Sequence, residues 1–180
     1  MVTQEILELA KKLIAFESIT SRPDQLKAVV DFVEDYLRKN STLTVKRFEV
    51  NGKPSLVGVF VKETPSKTSV KETPFPETMV FFHDHLDVVP GKPEQFKPYV
   101  KGDRLYGRGA SDTKGNGAAL MVLAKELSTK KIPHLSPSDA GSGSFPNIGF
   151  MFTTDEEIGG QNGVGYLLKE GYKCKFFVTL

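Results

Sequence analysis

Two apolar runs constrain this chain more than any other feature. Met79 to Phe82 and Ile148 to Thr154 have the length and composition of strands buried on both faces, and each ends abruptly in ionisable residues. The first leads into His83, Asp84, His85 and Asp87, and the second into Asp155, Glu156 and Glu157. Such groups are costly to bury unless paired, hydrogen-bonded or bound to metal. In open α/β sheets, ligands gather beyond the carboxyl ends of the strands. Two strands that deliver imidazoles and carboxylates there predict a metal or acid–base site.

The rest of the chain supplies the layers. Ile6, Leu9, Ala10, Leu13 and Phe16 recur at helical spacing with Thr3 placed as N-cap, and a second helix starts near Pro23 with Leu26, Val29, Val30, Val33 and Leu37 on one stripe. Asn40 and Ser41 end that helix. Leu43–Val50 and Ser55–Val61 read as a hairpin about Asn51-Gly52. Pro90 to Pro98 reads as a loop. Val100 and Leu105-Tyr106 flank a turn at Lys101-Gly102-Asp103, and a glycine-punctuated loop from Gly107 to Gly115 feeds a helix from about Asn116 to Leu127. That helix is apolar nearly all round, hence buried. A last helix runs through Val164, Leu167 and Leu168 to Gly171, and a last strand covers Lys175 to Leu180. Strands alternating with helices predict an α/β fold with a mostly parallel, helix-covered sheet.

Two segments stand apart as exposed loops, about 62–78 and 128–146. Val61-Lys62-Glu63-Thr64-Pro65 recurs as Val70-Lys71-Glu72-Thr73-Pro74, too short a unit for a repeat architecture. The second loop is rich in Ser, Pro and Gly.

At 180 residues the chain is most simply one domain. Its 24 basic and 22 acidic residues nearly cancel, with no long block of one sign, which argues against nucleic-acid and polybasic membrane partners. Cys174 is the sole cysteine, so intrachain disulfides and cysteine-based zinc sites are excluded. No signal-like or membrane-spanning apolar run is present, and the expectation is a soluble, cytoplasmic protein.

One histidine among several carboxylates is a mixed nitrogen and oxygen donor set, suited to zinc, cobalt or manganese. A single carboxylate can bridge two ions about 3.5–4 Å apart. Asp112, on its glycine-rich loop, is the best bridging candidate. Of adjacent Glu156 and Glu157, one can face a metal and the other serve as general base, provided the backbone leaves strand geometry as Gly159-Gly160 permits. Simpler roles fit the neighbours. His83 reads as a packed strand histidine, His134 as solvated, Asp84 and Asp155 as turn caps, Arg108 as an ion-pair partner, and Lys114 as a solvated or capping charge.

Three stretches together resemble the M20 family of metallopeptidases and amidohydrolases: His85-Leu86-Asp87-Val88-Val89-Pro90, Leu105 to Gly115, and Asp155-Glu156-Glu157-Ile158-Gly159-Gly160. Asp84 stands where a glycine is common in that family. The resemblance implies a zinc-exopeptidase type of sheet and a hydrolase cleaving an amide bond of a small peptide or N-acyl amino acid. It also implies two divalent ions, zinc foremost and cobalt or manganese as alternatives. His85 would bind one ion, Asp112 would bridge both, and Glu157 would bind the second. Asp87 would orient His85, and Glu156 would carry the proton from the attacking water to the leaving amine. Family members continue with a further acidic ligand, an inserted lid or dimerisation domain and a late histidine ligand. Residues 1–180 are thus expected to be the N-terminal portion of a catalytic domain, from a homodimeric parent, with each ion holding two protein ligands. The alternative is a truncated, inactive domain of the same fold that acts in binding or assembly.

Overall fold

A computed structural model describes residues 2–60, 78–129 and 148–180. The duplicated segment, His134 and most of the Ser/Pro/Gly loop lie outside the described residues.

The chain order is α1 (Val2–Ala15), α2 (Pro23–Asn40), β1 (Thr44–Val50), β2 (Lys53–Val59), β3 (Thr78–His85), β4 (Tyr99–Lys101), β5 (Arg104–Tyr106), α3 (Lys114–Thr129), β6 (Ile148–Thr153), α4 (Val164–Lys169) and β7 (Cys174–Thr179). Among the described residues one sheet runs β1-β2-β6-β3-β7, and β4 and β5 form a separate hairpin. β6, β3 and β7 are mutually parallel, whereas β1 and β2 form the expected hairpin and join β6 antiparallel. Parallel neighbours need a crossover. α3 lies on the β3-to-β6 connection and α4 on the β6-to-β7 connection.

The alternation of side chains divides the core in two. Leu56, Phe150 and Phe152 face α1, α2 and α3, packing on Leu13, Val30, Leu37, Leu120 and Met121. Val57, Val59, Phe81 and Met151 face the other way, onto Leu167 of α4 and Tyr172. Among the described residues, three helices therefore cover one face and one short helix covers the other. Among the described residues no helix is long and apolar enough to cross a membrane.

Three details differ from the pattern in the sequence. Thr3 lies inside α1 and is not its N-cap. β3 extends three residues beyond its apolar run, because His83, Asp84 and His85 keep their ladder to Met151, Phe152 and Thr153. α3 begins at Lys114, since the Thr113 carbonyl accepts the N–H groups of Asn116 and Gly117 at 2.7 and 3.1 Å.

Candidate metal centre

Parallel pairing in register places His85 beside Thr153, so β3 and β6 end side by side. The Leu86 N–H donates to the Thr153 carbonyl at 2.8 Å, which keeps the two exits together for one further residue. Beyond that point Asp87 is fully buried. Its carboxylate accepts the N–H groups of Glu156 at 3.3 Å and Glu157 at 3.1 Å, clamping the turn after β6 to the turn after β3. The turn at Glu156–Ile158 is one 3-10 turn, closed by Gly159 with φ +96° and Gly160 with φ +67°. Those positive φ values suit glycine, and they turn Glu156 out of strand geometry.

His85 is the hub. Its Nδ1 lies 3.0 Å from the Asp87 carbonyl and 3.5 Å from the Asp87 carboxylate, so Nδ1 carries a proton. Nε2 points the other way, 3.2 Å from Asp112 Oδ1 and 3.7 Å from Glu156 Oε2. Burial disfavours the charged imidazolium, yet the Asp87 carboxylate outweighs it and raises the His85 pKa to about 9. The His85 side chain is 6% exposed, while those of Asp112 and Glu156 are 78% and 53% exposed. A closed nitrogen donor thus faces open carboxylates across a solvent-accessible gap.

An imidazole nitrogen aimed at carboxylate oxygens is a place for a proton or a cation. His85 and Asp112 therefore fit a divalent ion by donor type and direction. Glu157 does not join them, because its Oε1 accepts the Val89 N–H at 3.2 Å. Among the described residues no group of three or more His, Cys, Asp or Glu side chains forms a ready metal cage. Four of the five expected residues, His85, Asp87, Asp112 and Glu156, thus converge, and the fifth is tied to the same turn by its backbone.

The neighbours divide. His83 is the packed histidine expected of it, held by Thr179 and Thr153 hydroxyls at 2.8 and 3.0 Å, and burial depresses its pKa to about 4. Asp155 caps the turn, accepting from Asn162 and Gly163 at 2.7 and 3.0 Å. Lys114 is a correction. It is fully buried, and its Nζ donates to the Phe16 carbonyl at 2.7 Å, tying the start of α3 to the end of α1. Burial lowers its pKa to about 7. Asp84 is also no cap: it is fully buried under Gly117 of α3, and burial, opposed by the neighbouring Thr113 hydroxyl, raises its pKa to about 7. Arg108 has no acidic partner within the described residues; its guanidinium lies 3.4 Å from the Pro90 carbonyl.

Two positioning residues are silent in the sequence. The Ser18 hydroxyl donates to the Leu86 carbonyl at 2.6 Å, and its own carbonyl accepts the Val88 N–H at 3.0 Å. Thr113 Oγ1 donates to the His85 carbonyl at 3.0 Å. Together they fix the backbone at His85 and in the residues that follow it. Neither is apolar or charged; the only local signal is that each sits in a loop bordering a helix.

The profile of Peptidase family M20/M25/M40 matches residues 81–180, more than half of the chain, including His85, Asp87, Asp112, Glu156 and Glu157. The chain belongs to this family. It is 30% identical over 162 residues to a succinyl-diaminopimelate desuccinylase of Pseudoalteromonas translucida, covering 87% of this chain and 36% of that protein. Another protein of that name, from Buchnera aphidicola, is 29% identical over 167 residues, covering 88% of this chain and 36% of that one. An M20 family metallo-carboxypeptidase of Sulfolobus solfataricus shares the fold with a TM-score of 0.71 at 21% identity, over 97% of this chain and 37% of its own. The chain therefore spans little more than a third of the length of these M20 relatives.

Proposed function

We propose that this chain is the N-terminal portion of the catalytic domain of a metal-dependent hydrolase that cleaves an amide bond of a small peptide or N-acyl amino acid. The observation that carries the reading is His85: Nδ1 is fixed by Asp87, and Nε2 is directed at Asp112 and Glu156. Family membership supports the same class of chemistry.

The ions proposed are two, zinc foremost with cobalt or manganese as alternatives; His85 and Asp112 are the donors already in place, and Glu157 would serve the second ion only on leaving the Val89 N–H. When bound, such an ion polarises a carbonyl and lowers the pKa of water. The chain's own residues supply the rest. Asp87 keeps the Nδ1 proton of His85 in place and so presents the Nε2 lone pair. Glu156, half exposed beside that nitrogen, accepts the proton of the water that attacks the amide carbon and passes it to the departing amine. The Asp87 clamp on the Glu156 N–H sets where that carboxylate stands.

The test is paramagnetic broadening of the 180-residue chain by Mn²⁺, a probe that registers weak binding. Broadening centred on the His85 ring, abolished by D112A and retained in E156Q, is expected. Broadening that survives both H85A and D112A would remove the metal reading. A second reading, a non-catalytic domain of the same fold, is favoured by the engagement of Glu157 with Val89. It predicts no Mn²⁺ broadening at His85 at all.

A further inference from the structure

The β4–β5 hairpin stands outside the main sheet. Its rungs pair Tyr99 with Tyr106, Val100 with Leu105 and Lys101 with Arg104. Gly102, with φ +64°, takes the first central position of the two-residue turn, as tight hairpins favour. Leu105 packs against the main core, and the Arg108 N–H donates to the Gln95 carbonyl at 2.7 Å, closing the base of the hairpin. Side chains alternate along a strand, so the tyrosine rung and the Lys101–Arg104 rung share the face turned away from Leu105.

That face has two parts. Tyr99 and Tyr106 are 56% and 38% exposed, and their rings stack with centroids 5.1 Å apart and 7° between planes. A stacked aromatic pair supports a short hairpin. Lys101 and Arg104, both exposed, act against it, because like charges directly opposite each other destabilise a strand pair. Asp103 in the turn does not relieve them. Among the described residues, neither cation has an acidic partner within ion-pair distance. Two cations are thus held side by side at a cost to the hairpin, next to an open aromatic pair.

We infer that this face docks an extended acidic segment of a partner protein. A glutamate or aspartate carboxylate sits between Lys101 and Arg104, and an apolar or aromatic side chain two residues along lies over the tyrosines. Charge supports the partner: a carboxylate relieves the repulsion between the two cations and takes charge-assisted hydrogen bonds from both. Spacing supports its extended form. The two rungs are two residues apart, and alternate side chains of an extended peptide fall on one side at the same repeat, roughly 6.6 Å. Single-stranded nucleic acid suits the face less. Each tyrosine spends one ring face on the other, and one rung of cations is no groove for a phosphate backbone. The 24 basic and 22 acidic residues add no wider stripe. The inference stands apart from the hydrolase reading, since no residue of this face is among the groups proposed to hold or serve an ion.

The experiment uses the 180-residue chain and two capped five-residue peptides. One alternates glutamate with threonine and ends in phenylalanine; the other has glutamine for every glutamate. NMR titration should show the acidic peptide moving the Tyr99, Lys101, Arg104 and Tyr106 signals, with the glutamine peptide at least about tenfold weaker. K101E turns the like-charge rung into an opposite-charge one. It should abolish the peptide shifts while raising the thermal unfolding midpoint, a gain that loss of structure does not give. Equal binding of the glutamine peptide, no shift at the hairpin at millimolar peptide, or shifts that survive K101E would overturn the docking face. An unraised midpoint in K101E would remove the strain that calls for an anion, and the inference with it. Tighter binding of hexathymidylate would replace the partner by nucleic acid, and concentration-dependent shifts of the same four residues in the free chain would replace it by a second copy; either overturns it. Mn²⁺ broadening at His85 should be the same in K101E, and its loss there would assign Lys101 to the His85 gap instead. Peptide binding without any Mn²⁺ broadening removes the hydrolase reading alone.

Discussion

The buried carboxylate of Asp87 lies 3.5 Å from Nδ1 of His85 while its two oxygens hold the N–H groups of Glu156 and Glu157. One residue therefore supports the imidazole after β3, through its carbonyl at 3.0 Å and its carboxylate at 3.5 Å, and places the acidic turn after β6. Replacing it by alanine keeps the carbonyl, removes the carboxylate beside Nδ1 and leaves two N–H groups without their acceptor. D87A should lower the affinity of the His85 site for Mn²⁺ by roughly 10–100-fold, the usual cost of losing such a support. The check is the same broadening titration, together with the His85 ring nitrogen shifts, in which the retained carbonyl should keep the proton on Nδ1. Unchanged Mn²⁺ affinity in a folded D87A would contradict the role given to the carboxylate.

Asp84 and Gly117 meet across the interface of β3 and α3. A Cβ added at Gly117 would stand 2.5 Å from Asp84 Oδ2, in a site with no exposure. G117A should therefore destabilise by about 1–3 kcal/mol through overpacking. D84G removes the clash and removes a fully buried carboxylate. The double variant D84G/G117A should recover most of the loss, with a coupling of about 0.5–3 kcal/mol in urea denaturation. Strict additivity would show that the two positions do not compete for the same space.

Much of this arrangement was legible from the chain alone. The helical stripe from Pro23, the β1–β2 hairpin and the parallel trio of strands followed from periodicity; His85, Asp87 and Glu156 stood where charges interrupt apolar runs, Asp112 stood on its glycine-rich loop, and their roles came from the family resemblance. What escaped reading has physical causes. The apolar letters of β3 stop at Phe82, yet backbone pairing continues to His85 because β6 and β7 supply partners whatever the side chains are. That extension puts Asp84 into the core beneath α3, where the sequence suggested a turn cap. The burial of Lys114 depends on a carbonyl 98 residues away, a pairing no local pattern reveals. Ser18 and Thr113 act through hydroxyls on backbone carbonyls, and hydroxyl residues in loops carry no signature of that role.

Ser18 tests how far the His85 loop depends on such supports. Its hydroxyl donates at 2.6 Å to the Leu86 carbonyl in a fully buried setting. S18A should cost about 1–3 kcal/mol, the range for a buried group left unsatisfied. Hydrogen exchange should quicken at Val88, whose N–H is held by the Ser18 carbonyl. A loss of global stability with unchanged exchange at Val88 would confine Ser18 to general packing.

Glu5 ties three helices together and gives a pH signature remote from the site. Its carboxylate accepts Lys125 Nζ at 2.8 Å and the Tyr36 hydroxyl at 2.8 Å, and these bonds, Lys125 first, hold its pKa below the usual 4.5. A depressed carboxyl pKa stabilises the fold above the unfolded value, and that contribution fades as pH falls from about 4.5 through the lower folded pKa. The wild type should exceed E5Q in stability at pH 6 by a few tenths to about 1 kcal/mol, as for partly exposed ion pairs. The gap should shrink in thermal unfolding as pH approaches 3. A gap that widens on acidification would reverse the sign and exclude this network as its source.

Glu157 separates what this chain holds from what family likeness implies. Its Oε1 accepts the Val89 N–H at 3.2 Å instead of facing His85, and among the described residues no three-donor cage exists. Catalytic zinc sites usually grip the ion with three protein ligands and leave a position for water. Residues 1–180 should accordingly bind zinc weakly, and hydrolysis of N-acetyl-L-alanine by the zinc-loaded chain should be small or absent. In a chelator competition E157A should change zinc affinity little, because the broken contact is with a backbone N–H, whereas D112A should abolish binding. Loss of the site in E157A as complete as in D112A would show that Glu157 swings from Val89 to the ion. Tight binding of two zinc ions with rapid hydrolysis would show instead that the described side chains close a complete centre on their own.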